Sequence, residues 1–270
     1  MSTFDTPQPI TAVVEVAAGS VRFVASDRED TVVEVRPRDP NRTSDVRAAE
    51  QTRVDFSNGT LTVSAGRRLI HLGRGGAVGI DIGLPSGSRL RASSASAEIH
   101  ADGEFADCKL TSASGDLVVD SVTGDIKTDT ASGEITVLNA NGSVAISTAS
   151  GGATIGRLDG GVKFRAASGG LTIRRLHGNV NAQTASGDVT VASAVAGTVS
   201  VQTSSGDVEI GIAEGTAAQL DLQTHSGAVR NSLAPSDGPA EGDETLVVKV
   251  RTGSGDVDVR RSATEAADLR

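Results

Sequence analysis

Residues 128–137 read TDTASGEITV, and the phrase Ser-Gly-acid-aliphatic within them returns several times along the chain. Close copies are TSASGDLVV, TASGDVTV and TSSGDVEI. The glycines of these phrases belong to a series in which a glycine recurs every nine residues from Gly115 to Gly187, and Gly197, Gly206 and Gly215 continue the series after a one-residue insertion. A fixed period of this kind is the signature of a repeat architecture.

Each nine-residue unit alternates apolar and polar positions. The second and fourth residues after the glycine are mostly aliphatic, as in Leu117 with Val119 and Ile135 with Val137. This alternation predicts a strand with one buried face, and the glycine supplies the turn. The register extends back to Leu90, Ile99, Cys108 and Leu110. The seventh residue is small or aliphatic as well, and we expect it to face inward: Val122, Ala131, Ala149, Leu158, Ala167, Leu176 and Ala185.

The units alternate between two kinds, so the full repeat is 18 residues long. One kind opens with Ser-Gly and the other with Thr123, Asn141, Asp159 or His177 before its glycine. Three six-residue sides would also fill 18 residues, but the period of nine favours two sides. We therefore predict an all-β fold: a two-sided parallel β-solenoid of about eight coils, each with two nine-residue strands, behind an N-terminal β cap. Ser-Gly-Asp then forms a corner where serines stack and their hydroxyls bond neighbouring backbone groups.

Three regions follow from this pattern. Residues 1–84 form a β-rich capping region, 85–260 the solenoid with an insertion loop at 231–245, and 261–270 a charged tail. Strand-like runs in the first region are TAVVEV, SVRFVA, TVVEVRP, TLTVS and AVGIDIGL, and SDVRAAEQ predicts a short helix with Ser44 as its N-cap. The last coil is expected to bury Val248, Val250, Val257 and Val259.

Composition limits the function. The net charge of −9 argues against nucleic acid as a partner, because binding to DNA depends on phosphate neutralisation. The lone Cys108 excludes an intrachain disulfide, and no apolar run approaches the ~20 residues of a membrane helix. MSTFDTPQPI lacks the basic start and apolar core of a secretory signal, so we expect a cytoplasmic protein. Trp and Tyr are absent, which weakens the case for carbohydrate binding.

Two kinds of chemistry are poorly supported by the repeat. Calcium-binding nonapeptide repeats need a carboxylate at every turn, whereas Gly152 and Gly170 interrupt the acidic series here. Serine hydrolysis needs a base beside one distinct serine, and no G-x-S-x-G elbow occurs. We therefore expect no catalytic residues, no metal site and no cofactor, and we place Cys108 in the core.

One basic loop, GRRLIHLGRGG, is the weak candidate for binding an anion or a partner. Its cationic side chains could hold a phosphate or an acidic group, although its glycine spacing differs from nucleotide-binding fingerprints. The residues are Arg67, Arg68, His71 and Arg74.

The combination of STFDTPQPI, GSVRFVASDREDTVVEVRP, the Ser-Gly-Asp units, QTHSGAVRNSL and VKVRTGSGDVDVRR resembles the bacterial β-strand-repeat family labelled "putative adhesin", a domain of unknown function. The resemblance covers nearly the whole chain. It implies a β-solenoid without known catalytic residues.

Together these observations predict a non-enzymatic protein whose rigid surface binds an unidentified protein partner, as a cytosolic binding or regulatory module. Two alternatives stay open: a cell-surface adhesin-like protein, and a structural protein that self-assembles through the solenoid ends.

Overall fold

The computed structural model describes residues 1–65, 76–235, 238–239 and 242–262. These residues form an all-β fold with nineteen strands and one helix. The chain divides into two compact units, Met1–Asn139 and Ala140–Arg270. Across the described ranges, no helix has the length and apolar character needed to cross a membrane.

The first unit contains the helix and the first ten strands. The elements are β1 (Ser2–Asp5), β2 (Thr11–Ser26), β3 (Asp30–Pro37), α1 (Thr43–Gln51), β4 (Arg53–Ser57), β5 (Thr60–Ala65), β6 (Val78–Pro85), β7 (Ser88–Ser114), β8 (Leu117–Val122), β9 (Ile126–Ser132) and β10 (Ile135–Ala140), whose last residue begins the second unit. All five strand-like runs expected in the first region lie in strands, apart from Ala77, which precedes β6.

The layers of the first unit do not follow chain order. Strand β2 pairs in parallel with β5 and β6 on one side and with β7 on the other, so it is an inner layer. Antiparallel strands then pair with the outer layer, β4 with β5 and β3 with β6, and β1 pairs with β3. Parallel stacking continues from β7 to β8 and β9.

Helix α1 begins differently from the sequence prediction. Its N-cap is Arg42, which makes no side-chain capping bond, so the prediction of Ser44 was wrong. The Ser44 hydroxyl instead donates a hydrogen bond to the Asp45 carboxylate at 3.1 Å. Asp45 holds the start of the helix, because it also accepts bonds from the backbone N–H groups of Asp39 (3.3 Å) and Ala77 (3.1 Å).

The second unit is a stack of parallel strands. They are β11 (Ser143–Ser150), β12 (Ala153–Ser168), β13 (Leu171–Ser186), β14 (Val189–Ser205), β15 (Val208–Ile212), β16 (Thr216–Ser226), β17 (Val229–Asn231), β18 (Glu244–Ser254) and β19 (Val257–Arg261). Strand β12 pairs with β13 over Ala153↔Leu171 to Ser168↔Ser186, an offset of 18 residues, which confirms the period read from the sequence.

The end of this unit is also out of chain order. Strands β18 and β19 lie between two earlier segments: they pair with β14 and β15 on one side and with β16 and β17 on the other. Val248, Val250, Val257 and Val259 are all fully buried, as predicted. The layer they form is an inner one, however, and β16 with β17 is the outer one.

The predicted core is confirmed at the second and fourth positions after each glycine, where every aliphatic side chain named above is buried. At the seventh position the prediction holds for Val122, Leu158 and Leu176. It is wrong for Ala131, Ala149, Ala167 and Ala185, which are exposed. In those units the strand alternation continues unbroken, so the sixth residue faces inward instead.

The sixth residue is usually a buried threonine. Thr130, Thr148, Thr184 and Thr203 are 6–8% exposed, as is Thr252 of β18. Several of these hydroxyls donate to carbonyl groups of the adjacent corner, for example Thr203 Oγ1 to the Ser205 oxygen at 3.1 Å and Thr252 Oγ1 to the Ser254 oxygen at 3.2 Å. At these two strand ends a buried hydroxyl therefore bonds the strand to its own turn.

Candidate interaction surface

The four basic-loop candidates, Arg67, Arg68, His71 and Arg74, lie outside the described residues. Their role as an anion or partner site stays a prediction. The described surface of the repeats consists of the corners and the outward rows of the strands.

The Ser-Gly-Asp corners are structural. Ser168 and Ser186 lie in register, as do Ser205 and Ser254, so the predicted stacking of serines is confirmed. The bond to the next layer is made by the serine carbonyl, which accepts from a glycine N–H, as between Gly187 and Ser205 at 3.0 Å. Serine hydroxyl bonds are long where the described corners show them, 3.5 Å from Ser114 to the Ala95 oxygen.

The aspartate of the motif has a definite task. Asp188 accepts the backbone N–H of Asp207 at 2.8 Å, and Asp207 accepts that of Asp256 at 2.8 Å. In the first unit Asp116 accepts the N–H of Glu134 at 2.9 Å. One carboxylate oxygen at each of these corners is thus engaged by the neighbouring layer. Among the described residues, no group of three or more His, Cys, Asp or Glu side chains could hold a metal ion.

Asp159, His177 and Cys108 are of residue types that often take part in catalysis. Asp159 forms a 2.8 Å ion pair with Arg157, and one of its oxygens lies 3.5 Å from His177 Nδ1 at an exposed corner. Cys108 is 2% exposed, and burial raises the pKa of its thiol to about 12, with the Asp107 carboxylate acting in the same direction. A thiol with that pKa is a poor nucleophile at neutral pH.

A regular polar surface lies on one sheet of the second unit. It consists of the outward residues of five layers, β12, β13, β14, β18 and β16, and we call it the cation–amide face. Its first row is Lys163, Asn181, Ser200, Lys249 and Asp221. Its second row is Arg165, Gln183, Gln202, Arg251 and Gln223.

Buried residues that alternate with the outward residues hold the two rows in place. Val162 and Phe164 alternate with the outward Lys163 and Arg165 and are 4% and 0% exposed. The ladder bonds of a parallel sheet hold adjacent layers about 4.8 Å apart. The side chains of each row are therefore presented at a repeating distance on a rigid support.

The two rows share one charge pattern. A cation in β12 is followed by an amide in β13, an amide or hydroxyl in β14, and a second cation in β18. Asp221 is the one carboxylate in the rows, and it lies 3.3 Å from the Arg251 guanidinium. Within the described chain, no carboxylate lies within ion-pair distance of Lys163, Arg165 or Lys249.

Two depressions open on this face. One, of about 680 Å³, is lined by the second-row residues Arg165, Gln183, Gln202 and Arg251. The other, of about 390 Å³, has the first-row residues Lys163, Asn181 and Ser200 in its lining. In the larger depression, the side-chain amide of Gln183 donates a hydrogen bond of 3.4 Å to the side-chain oxygen of Gln202 in the next layer. Neither depression has an aromatic side chain in its lining.

Sequence reasoning did not single out this face. Lys163 and Arg165 could have been found as the third and fifth residues after Gly160. Their match with Lys249 and Arg251 was hidden, because β18 enters the stack after the insertion loop and out of chain order. In the first unit the same third position is also basic, with Lys109 and Lys127 in register.

Comparison with known proteins gives a family for the chain. No curated protein matches the chain. Similar solved structures include a "putative cell adhesion protein" from Clostridium sporogenes (8% identity, TM-score 0.24, covering 96% of this chain and 98% of the other), a "putative adhesin" from Parabacteroides distasonis (12%, 0.40, 96% and 95%) and a "putative adhesin" from Bacteroides fragilis (12%, 0.34, 96% and 95%). Because these identities and TM-scores are low, no residue role is carried over from these proteins to this chain.

A family model matches residues 12–263, nearly the full length. That span contains the corner glycines, the stacked serines and the cation–amide face described above. The resemblance inferred from the sequence is confirmed, and the chain belongs to the Toastrack DUF4097 family, a domain of unknown function with structural neighbours called putative adhesins.

Proposed function

We propose that the protein is a non-enzymatic binding module, built as a two-sided β-solenoid of about eight coils, and that it recognises a protein partner through the cation–amide face. We propose that the chain has three regions: a capping region at 1–84, the solenoid at 85–260 and a charged tail at 261–270. The supporting observation is the register of the two outward rows over five stacked layers. A surface ordered in this way loses little conformational entropy when a partner binds.

The test is photo-crosslinking inside living cells. A photoreactive amino acid replaces Gln202, at the centre of the face, and in a matched control it replaces Thr172, an exposed residue on another strand row. We expect discrete cross-linked species from position 202 and none from position 172. Equal labelling at both positions, or none at either, would contradict a binding role for this face. Robust turnover in a broad hydrolase screen would contradict the non-enzymatic assignment.

The proposed location is the cytoplasm, and the single buried thiol of Cys108 is compatible with a reducing compartment. The alternative is an adhesin-like protein at the cell surface. Fractionation of cells that produce the protein from its own gene distinguishes them. Recovery in the soluble lysate supports the cytoplasmic proposal, and recovery in washed surface fractions would replace it with the adhesin-like one.

A second candidate function, self-assembly, is favoured by the outer layer of the second unit. Leu220 and Leu222 of β16 are half-buried, whereas Val248 and Val250, beside them in β18, are fully buried. Loop residues Leu233, Pro235 and Pro239 border the first half of β16 around a cavity of about 690 Å³. Over the second half of β16, the described residues place no strand on the outer side. An unpaired edge of this kind can accept another chain.

A further inference from the structure

We propose that the cation–amide face binds an acidic protein segment in an extended conformation. The inference rests on the proposed function and deepens it, since it gives the chemistry of the partner. It is carried by the charges of the face, by their spacing and by the absence of stacking groups.

The charge of the face is opposite to that of the molecule. The chain has a net charge of −9, yet the two rows hold four cations and the single carboxylate Asp221. Lys163, Arg165, Lys249 and Arg251 are all exposed. Local charge controls the approach of a partner within about one Debye length, roughly 8–10 Å at moderate salt. An acidic segment is therefore attracted to this face and repelled by most of the remaining surface.

The spacing fits a polypeptide. Lys163 and Arg165 are two residues apart on one strand, about 6.6 Å, and Lys249 with Arg251 repeats the pair. Alternate side chains of an extended peptide have the same separation and point the same way. Two such cation pairs, three layers or about 14 Å apart, can hold two acidic clusters. The amides of Gln183 and Gln202 lie between them and can bond the peptide backbone.

Other polyanions fit less well. Single-stranded nucleic acid and many sugars are held by aromatic rings, on which bases and sugar faces stack. Neither row contains an aromatic side chain, and neither depression is lined by one. Arginine and lysine recognise carboxylates without stacking, and arginine can do so with two parallel hydrogen bonds.

The test measures fluorescence anisotropy of a labelled peptide of alternating glutamate and threonine, with the full-length protein. The face variant carries Lys163→Gln, Arg165→Gln, Lys249→Gln and Arg251→Gln. A control variant removes the same charge elsewhere in the second unit, through Arg157→Gln, Arg174→Gln, Arg175→Gln and Arg230→Gln, all exposed positions. We expect the face variant to bind at least about tenfold more weakly and the control to change by less than about twofold.

A gain-of-function variant completes the design. Asp221→Asn removes the carboxylate that pairs with Arg251, so binding should tighten about two- to threefold and weaken as salt is raised. Thermal melts of all variants check that the fold is intact. Equal losses in the face and control variants would overturn the proposal, and so would absence of peptide binding by the wild type.

Two competitors separate the ligand classes. Polygalacturonate or oligothymidine that binds more tightly than the acidic peptide, and through the same four side chains, would replace the acidic segment with a glycan or a nucleic acid. If position 202 gives cross-links but the acidic peptide does not bind, the proposal of a binding module is retained and only the proposal of an acidic partner is overturned.

Discussion

A missing Cβ determines how closely successive corners can stack. Gly178 has φ of +144°, and a Cβ at this position would overlap the carbonyl oxygen of Gly160 in the layer before it. Gly187 and Gly206 meet the preceding corner in the same way. The glycine repeat of the sequence is therefore required by contact between layers as well as by the turn conformation.

We expect Gly178→Ala to lower the free energy of unfolding by more than about 2 kcal/mol, because strain at positive φ is added to the overlap between layers. The matched control is Gly215→Ala. Gly215 also has positive φ, +78°, but open space surrounds its Cβ position, so the loss should be about 1 kcal/mol. Urea denaturation followed by circular dichroism measures both. Equal losses would show that the contact between corners has no energetic weight.

A second prediction at this scale concerns hydroxyls in the core. Thr128 is 1% exposed and its hydroxyl has no hydrogen-bond partner among the described residues. Replacing it by the isosteric valine should therefore raise the free energy of unfolding by about 1 kcal/mol. Thr203→Val is the contrasting variant, since Thr203 Oγ1 bonds the Ser205 carbonyl at 3.1 Å and its loss should destabilise. Thermal melts compare them, and two shifts of the same sign would contradict the assignment.

At the scale of single elements, the strands were predictable and their neighbours were not. Period-two alternation correctly placed Val162 and Phe164 inside, because burial of every second side chain is local information. The same alternation, continued one step further, would have placed Thr184 inside and Ala185 outside. The order of layers was hidden, because β2 lies between β6 and β7, and β18 lies between β14 and β16, and neither inserted strand is adjacent in sequence to the strands beside it. The cation–amide face depends on that insertion and was missed with it.

The junction at the start of helix α1 gives a pH-dependent prediction. Asp45 is 2% exposed, and the backbone bond from Ala77 is the largest cause that lowers the pKa of its carboxyl group. A lowered pKa stabilises the fold above the unfolded-state value of about 3.9, and the stabilisation is lost as pH falls through the folded-state pKa. Asp45→Asn should therefore melt below the wild type at neutral pH, with a smaller difference in acid.

Melting temperatures of the wild type and Asp45→Asn, measured from neutral pH to below pH ~4, test this effect. Asp55→Asn is the control, because Asp55 is an exposed residue of β4. It should leave the melting temperature nearly unchanged at neutral pH. A difference for Asp45→Asn that stays constant across the titration would mean that the ionised carboxylate is not the source of the stabilisation.

At the scale of the whole molecule, the two units end in different ways. In the first unit the outer parallel layer of β5 and β6 is paired with antiparallel β4 and β3. In the second unit the outer layer is β16 with β17, and Val229 of β17 is 44% exposed. A filament needs two complementary surfaces, whereas the edge of β16 can pair with the same edge of a second copy about a two-fold axis. Any self-association should therefore stop at a dimer.

Light scattering after size-exclusion chromatography, over a wide concentration range, should show a mass that rises from one chain to two and then stays constant. Leu222→Lys places a charge at the half-buried position of the outer edge and should hold the protein as a monomer, because a charged edge resists pairing. Circular dichroism confirms that the variant keeps its strands. A mass that continues to grow would mean that the antiparallel strands of the first unit do not block pairing. A wild type that stays monomeric would mean that the edge of β16 is already protected, and binding through the cation–amide face would then stand without self-assembly.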